Sequence, residues 1–224
     1  MNRIATIVLV VFTALACLAL VYFLRVGWLE MAATAKLSAS IGFLATAINA
    51  GCLRQRVGQI VFAGLVLSFL GDMFLIGRSQ RSFLLGLASF LLAHVAYITA
   101  FITAGINRKW VLRAAVPVIA ISAMVLLWMS PHVAPYLATP VYIYTAVISL
   151  MVIAAFGARG AGASKLIVAG ALMFFVSDLS VAAQRILQSE FPTYIWGLPL
   201  YYAGQIAIAL GVAQWSASTG VNND

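Results

Sequence analysis

Three side chains stand where hydrocarbon would be expected: Asp72 in GLVLSFLGDMFLIG, His94 in FLLAHVAYITAF and Asp178 in GALMFFVSD. An ionisable group in a lipid-exposed helix costs several kcal/mol, so such residues turn toward a protein interior or a wet cavity and are functional candidates by default. The two aspartates also share a setting. Residues 169–178, AGALMFFVSD, align without gaps on 63–72, AGLVLSFLGD, with Ala, Gly, Phe and Asp at the same places. Each half of the chain thus contributes one intramembrane carboxyl.

Two carboxyls in a low-dielectric site need not share one protonation state, because burial and mutual repulsion favour the neutral form while nearby cations favour the charged one. Such a pair supplies an acid and a base at neutral pH. A reaction that protonates a poor base and then lets water capture a cation uses this combination, as glycoside hydrolysis does. Helical spacing adds neighbours: Ser68 lies one turn before Asp72, Tyr97 shares a face with His94, and Ser177 precedes Asp178. In the repeat His94 falls opposite Gln205, reading GLASFLLAH at 86–94 against GLPLYYAGQ at 197–205. One half offers a titratable group and the other a neutral amide. The structural alternatives are an aspartate that pairs with Lys36 or a loop arginine to hold the packing, an interior histidine, and Asn49, Gln205 and Tyr97 as interhelical hydrogen-bond partners. With only His94 and His132 and no tight ligand cluster, no metal or other cofactor is expected.

Composition defines what must position these groups. The 224 residues are 64% hydrophobic and 8% charged, with a mean hydropathy of +1.08, whereas soluble domains are about 25% charged. An all-α integral membrane protein is expected, a single membrane domain over 1–224. A spanning helix takes about 20 residues, and the apolar runs predict eight, near 4–24, 35–52, 57–77, 82–104, 111–129, 136–156, 163–183 and 194–214. The repeat suggests two related four-helix halves. The run from Ile4 to Leu24 is longer than a signal-peptide core and reads as a retained first helix. The span at 35–52 is the least apolar, with Lys36, Ser38, Ser40 and Asn49, and must be shielded or line a cavity. Pro117 falls inside the fifth span, where it is a potential kink. Gly197, Gly204 and Gly211 recur every seven residues in the last span and form a stripe for close helix approach. Cys17 and Cys52 have no CxxC partner and read as packing residues.

The net charge of +8 is scattered between apolar runs rather than gathered on one face, which argues against nucleic acid and for topology signals and lipid headgroup contacts. Eight spans put both termini on one side. That side carries Arg3, Arg54, Arg56, Arg108, Lys109, Arg113, Arg159 and Lys165, against Arg25, Lys36, Arg78, Arg81 and Arg185 on the other. Eight cations against five favour termini in the cytoplasm of a protein in the cell (inner) membrane. Asp72 and Asp178 are each the sixteenth residue of their expected spans, roughly 7 Å beyond the midplane toward the outer side at about 1.5 Å per residue. Lys36, Arg78, Arg81 and Arg185 converge on that same half.

The segments SFLGDMFLIG, FLLGLASFLLAHVAYITAF, GALMFFVSDLSVA and LYYAGQIAIA resemble the YhhN family of multi-pass membrane proteins, whose animal members are lysoplasmalogenases. Asp72, His94, Tyr97, Asp178, Tyr202 and Gln205 fall on the family's motif residues. One departure is that Lys36 precedes Leu37, where family members often have Lys-Pro. The resemblance implies hydrolysis of the vinyl ether bond of a lysoplasmalogen, with a lysophospholipid substrate, a surrounding membrane lipid phase and no metal. Asp72 and Asp178 would then be acid and charge-stabilising base in either order, with His94 tuning or relaying protons. Lys36, Arg78, Arg81 or Arg185 would meet the phosphate, and Asn49, Ser68, Tyr97, Ser177, Tyr202 and Gln205 would contribute to substrate binding. Internal repeats with intramembrane acids also fit a small proton-coupled transporter, and a scaffold whose acids only hold helices together is the third reading.

Overall fold

A computed structural model describes residues 2–77 and 79–220. Its eight long helices are α1 Arg3–Val26, α2 Leu29–Ala50, α3 Arg56–Ile76, α4 Gln80–Ala104, α5 Arg108–Met129, α6 Pro135–Gly160, α7 Lys165–Arg185 and α8 Tyr194–Gly220. All eight are long and apolar enough to cross a membrane, and the chain is a multi-pass membrane protein.

The helix ends follow from local chemistry. Asn2, Ser79, Asn107 and Ser164 each accept from a backbone N–H of the first turn they precede, satisfying donors that lipid could not. Gly27 and Gly51 end α1 and α2 with φ of 78° and 90°, a conformation costly for any side chain. The turn after α1 is therefore only two residues long, with Trp28 stacked on Phe23 at 6.0 Å. This is why α2 begins at Leu29, six residues before the expected 35, and carries Glu30 in its first turn, where an acid favours the helix dipole. In the second half of the chain α6 runs on to Gly160, four residues past the expected 156, and Arg159 closes the short loop by donating from Nη1 to the Ala163 carbonyl at 2.9 Å. Pro117, Pro140 and Pro199 lie inside α5, α6 and α8, and each helix continues through its proline.

Packing repeats between the halves. The α1–α2 pair recurs as α5–α6, α3–α4 as α7–α8, α2–α3 as α6–α7, and the α4–α6 contact as α8–α2. The correspondence breaks at α8, which is also packed by α1 and α3. The outermost helices are α1 and α5, whose Ile4, Val116 and Leu127 are each 75% exposed. The less apolar α2 is enclosed by α1, α3 and α8, which answers the expectation that it be shielded. The glycine stripe of α8 lies against α7: a Cβ at Gly204 would sit 3.0 Å from the Gly170 carbonyl, so the two backbones approach as closely as glycine permits.

Candidate active site

Lys36 and Ser40, one turn apart on α2, face Asp72 near the end of α3. The Lys36 Nζ donates to Asp72 Oδ1 at 3.1 Å, and Ser40 Oγ donates to Oδ2 at 2.7 Å. From α8 the Tyr201 hydroxyl donates to the same Oδ2 at 2.8 Å. Tyr202 lies behind them, 3.4 Å from Ser40 Oγ and donating to the Lys36 carbonyl at 3.3 Å. Asp72 is 1% exposed. An ammonium and two hydroxyls replace the hydration that this buried carboxyl gives up.

Asp178 is the counterpart in sequence but not in surroundings. It is partly exposed, and Tyr144 of α6 donates to its Oδ2 at 2.7 Å. Among the described residues no cation pairs with it, and Lys36–Asp72 is the ion pair present. The two carboxyls also differ in their distance from their helix ends: Asp72 lies four residues before the end of α3, and Asp178 seven before the end of α7. At about 1.5 Å per residue that is a difference of about 4.5 Å along the two helices.

Both aspartates open onto one cavity of about 380 Å³. Its polar wall also includes Lys36, Tyr144, Ser177, Tyr201 and Arg185, and all eight helices contribute to its lining. One side is apolar: Phe83, Val125, Met129, Val141 and Ile186 belong to a small cluster separate from the main core. Arg185 sits exposed at the rim with its guanidinium 5.5 Å from the centre of the Phe83 ring.

His94 does not line this cavity. It is fully buried, with its ring edge-on to Phe174 at 4.6 Å and to Tyr144 at 5.3 Å. Neither ring nitrogen meets a partner among the described residues, nor does Gln205 Nε2. Tyr97 donates to Gln205 Oε1 at 2.7 Å and lies 3.5 Å from Ser68 Oγ, so Ser68, Tyr97 and Gln205 form a buried polar chain between α3, α4 and α8. Ser177 lines the cavity and donates to the Phe174 carbonyl at 2.7 Å. Asn49 is elsewhere, tying the end of α2 to the start of α1 through the Asn2 carbonyl and Thr6 Oγ1. Arg81 is exposed in the first turn of α4, away from the lining, and Arg78 lies outside the described residues. No group of three His, Cys, Asp or Glu side chains gathers among the described residues.

Sequence reasoning missed Tyr144, Ser40 and Tyr201 as carboxyl partners. Ser40 carried a signal, being four residues after Lys36 and hence on its face. Tyr201 is the neighbour of the expected Tyr202, about 100° away around the helix, and both tyrosines reach this cluster. Tyr144 had none, because VYIYT is an ordinary apolar helix segment.

The model of the YhhN family matches residues 31–212. A Bos taurus protein named lysoplasmalogenase TMEM86A is 31% identical over 165 residues, covering 69% of this chain and 65% of its own length. A Homo sapiens protein of the same name is 32% identical over 160 residues, again covering 69% of this chain and 65% of its own. The chain thus spans about two thirds of the length of these relatives, just under that fraction. No solved structure matches it.

Proposed function

The chain belongs to the YhhN family, and we propose that it hydrolyses the vinyl ether bond of a lysoplasmalogen to a fatty aldehyde and a glycerophospho-base. The observation that carries this reading is the pair of aspartates with unlike partners facing one cavity. Asp178, bonded to a phenol and unpaired with a cation, is the proton donor to the alkene carbon distal to the ether oxygen. The oxocarbenium ion so formed lies between two carboxylates. Asp72, held by Lys36, offsets that charge and accepts the proton of the attacking water. The hemiacetal then collapses to aldehyde and alcohol as Asp178 takes back a proton from its hydroxyl and Asp72 gives one to the leaving oxygen, so both carboxyls are restored and water is the only reagent consumed.

Tyr144 holds the Asp178 carboxyl, and His94, packed behind the Tyr144 ring, positions that tyrosine. The apolar wall of Phe83, Val125, Met129 and Ile186 accepts the alkenyl chain, and Arg185 at the rim meets the phosphate. The eight-to-five excess of basic residues at the opposite end favours a cavity mouth on the non-cytoplasmic side of the cell membrane. The test is aldehyde release from alkenyl lysophosphatidylethanolamine by purified protein. Release that disappears in a folded Asp178→Asn variant supports the reading, and no release from the wild type on any alkenyl lysolipid overturns it.

A further inference from the structure

The chain has three lysines, and they are placed very differently. Lys109 and Lys165 are exposed in the first turns of α5 and α7, at the end of the bundle away from the cavity. Lys36 lines the cavity with its side chain 14% exposed, at 3.1 Å from Asp72. A primary amine therefore faces an apolar chamber large enough for an alkyl chain.

We propose that Lys36 is a covalent binding site for long-chain aldehydes, which it holds as an iminium ion paired with Asp72. Lys36 passes a proton to Asp72, and its nitrogen lone pair attacks the aldehyde carbon while the carbonyl oxygen takes up that proton. The carbinolamine expels water as the nitrogen forms the C=N bond. Overall an ammonium and an aldehyde become an iminium and one water, with no redox partner and no net proton released.

Two features favour this step here. The cation paired with Asp72 before the reaction is replaced by another cation afterwards, so no charge is created or stripped of its partner, the change that makes buried charge expensive. Ser40 and Tyr201 hold the other carboxylate oxygen, so Asp72 keeps its position while the lysine nitrogen is rebuilt. The apolar wall beyond retains the alkyl chain.

The proposal rests on the hydrolase reading only for the natural source of the aldehyde, and its test does without that source. Purified full-length protein is incubated with hexadecanal, reduced with borohydride, and the three lysines are compared by peptide mass spectrometry. Labelling at Lys36 is expected to exceed that at Lys109 and Lys165 by about tenfold or more, a small part of what fixed proximity can give. Equal labelling of the three, or sparing of Lys36, overturns it. Lys36→Arg keeps a cation for Asp72 but forms no imine, and its folded form is expected to lose the cavity label alone. Continued labelling of this variant within the cavity peptides overturns the assignment to Lys36. A Lys36 adduct in protein that cleaves no alkenyl lipid sustains this site and removes the hydrolase reading. Cleavage without any adduct does the reverse.

Discussion

Asp72 and Asp178 stand at matching places in two copies of one pattern, and the helices around them repeat pairwise. What differs is the eighth helix. Because α8 packs on α3 as well as α7, it brings Tyr201 to Asp72, while α2 adds an ammonium and a serine. Asp178 has α6 and a single phenol. One copy of the motif has been enclosed and saturated, the other left with an open side toward the cavity. The two aspartates stand at aligned positions, and unequal packing gives them different partners.

The comparison can be broken most sharply at the open copy. Asp178→Asn is expected to lower aldehyde release by about 10³-fold, within the usual worth of a general acid, while the melting transition in detergent moves little. Comparable activity in this variant would remove the acid role. The saturated copy should respond in stability instead. Lys36→Met strands a carboxylate that is 1% exposed, and removing one partner of a buried pair costs about 3–5 kcal/mol, read as a large drop in thermal midpoint. If Lys36→Met and Asp178→Asn destabilise equally, the contrast between the copies is wrong. Tyr144→Phe sharpens it: turnover should fall by about tenfold to a hundredfold, with KM nearly unchanged, as for an aligned hydrogen bond worth about 1.5–3 kcal/mol to a reacting group. Smallest is Arg185→Gln, where an exposed cation on the phosphate is worth about 1 kcal/mol or less. Its KM should rise severalfold for a phosphate-bearing substrate and stay level for a neutral alkenyl glycerol.

The spans were legible because lipid demands long uninterrupted apolar runs, and six of the eight helices begin and end within a few residues of where hydropathy places them. The start of α2 was not legible. Residues 29–34, LEMAAT, read as linker by polarity, and only the tight turn at Gly27 carries them into the helix. Asp72, Asp178 and Lys36 announced themselves as ions among hydrocarbons. Their hydroxyl partners did not, since a serine or tyrosine is unremarkable in a membrane helix and its facing depends on how the helix is rotated in the bundle. His94 was legible as a misplaced polar group, but its separation from the cavity by Tyr144 and Phe174 is a matter of packing that no spacing reveals.

The two-residue turn between α1 and α2 bears on how the protein is made. Chains emerge N-terminus first, and a turn this short delivers α1 and α2 to the bilayer as one hairpin, the strongly apolar helix carrying in the weaker one. At that moment Asp72 has not yet been synthesised. Lys36, the eighth residue of α2, lies close enough to the nearer surface for its long stem to reach the headgroups and keep its charge wet. The carboxylate that meets it comes on the next helix, so the ion pair lies wholly within the first three helices of the chain.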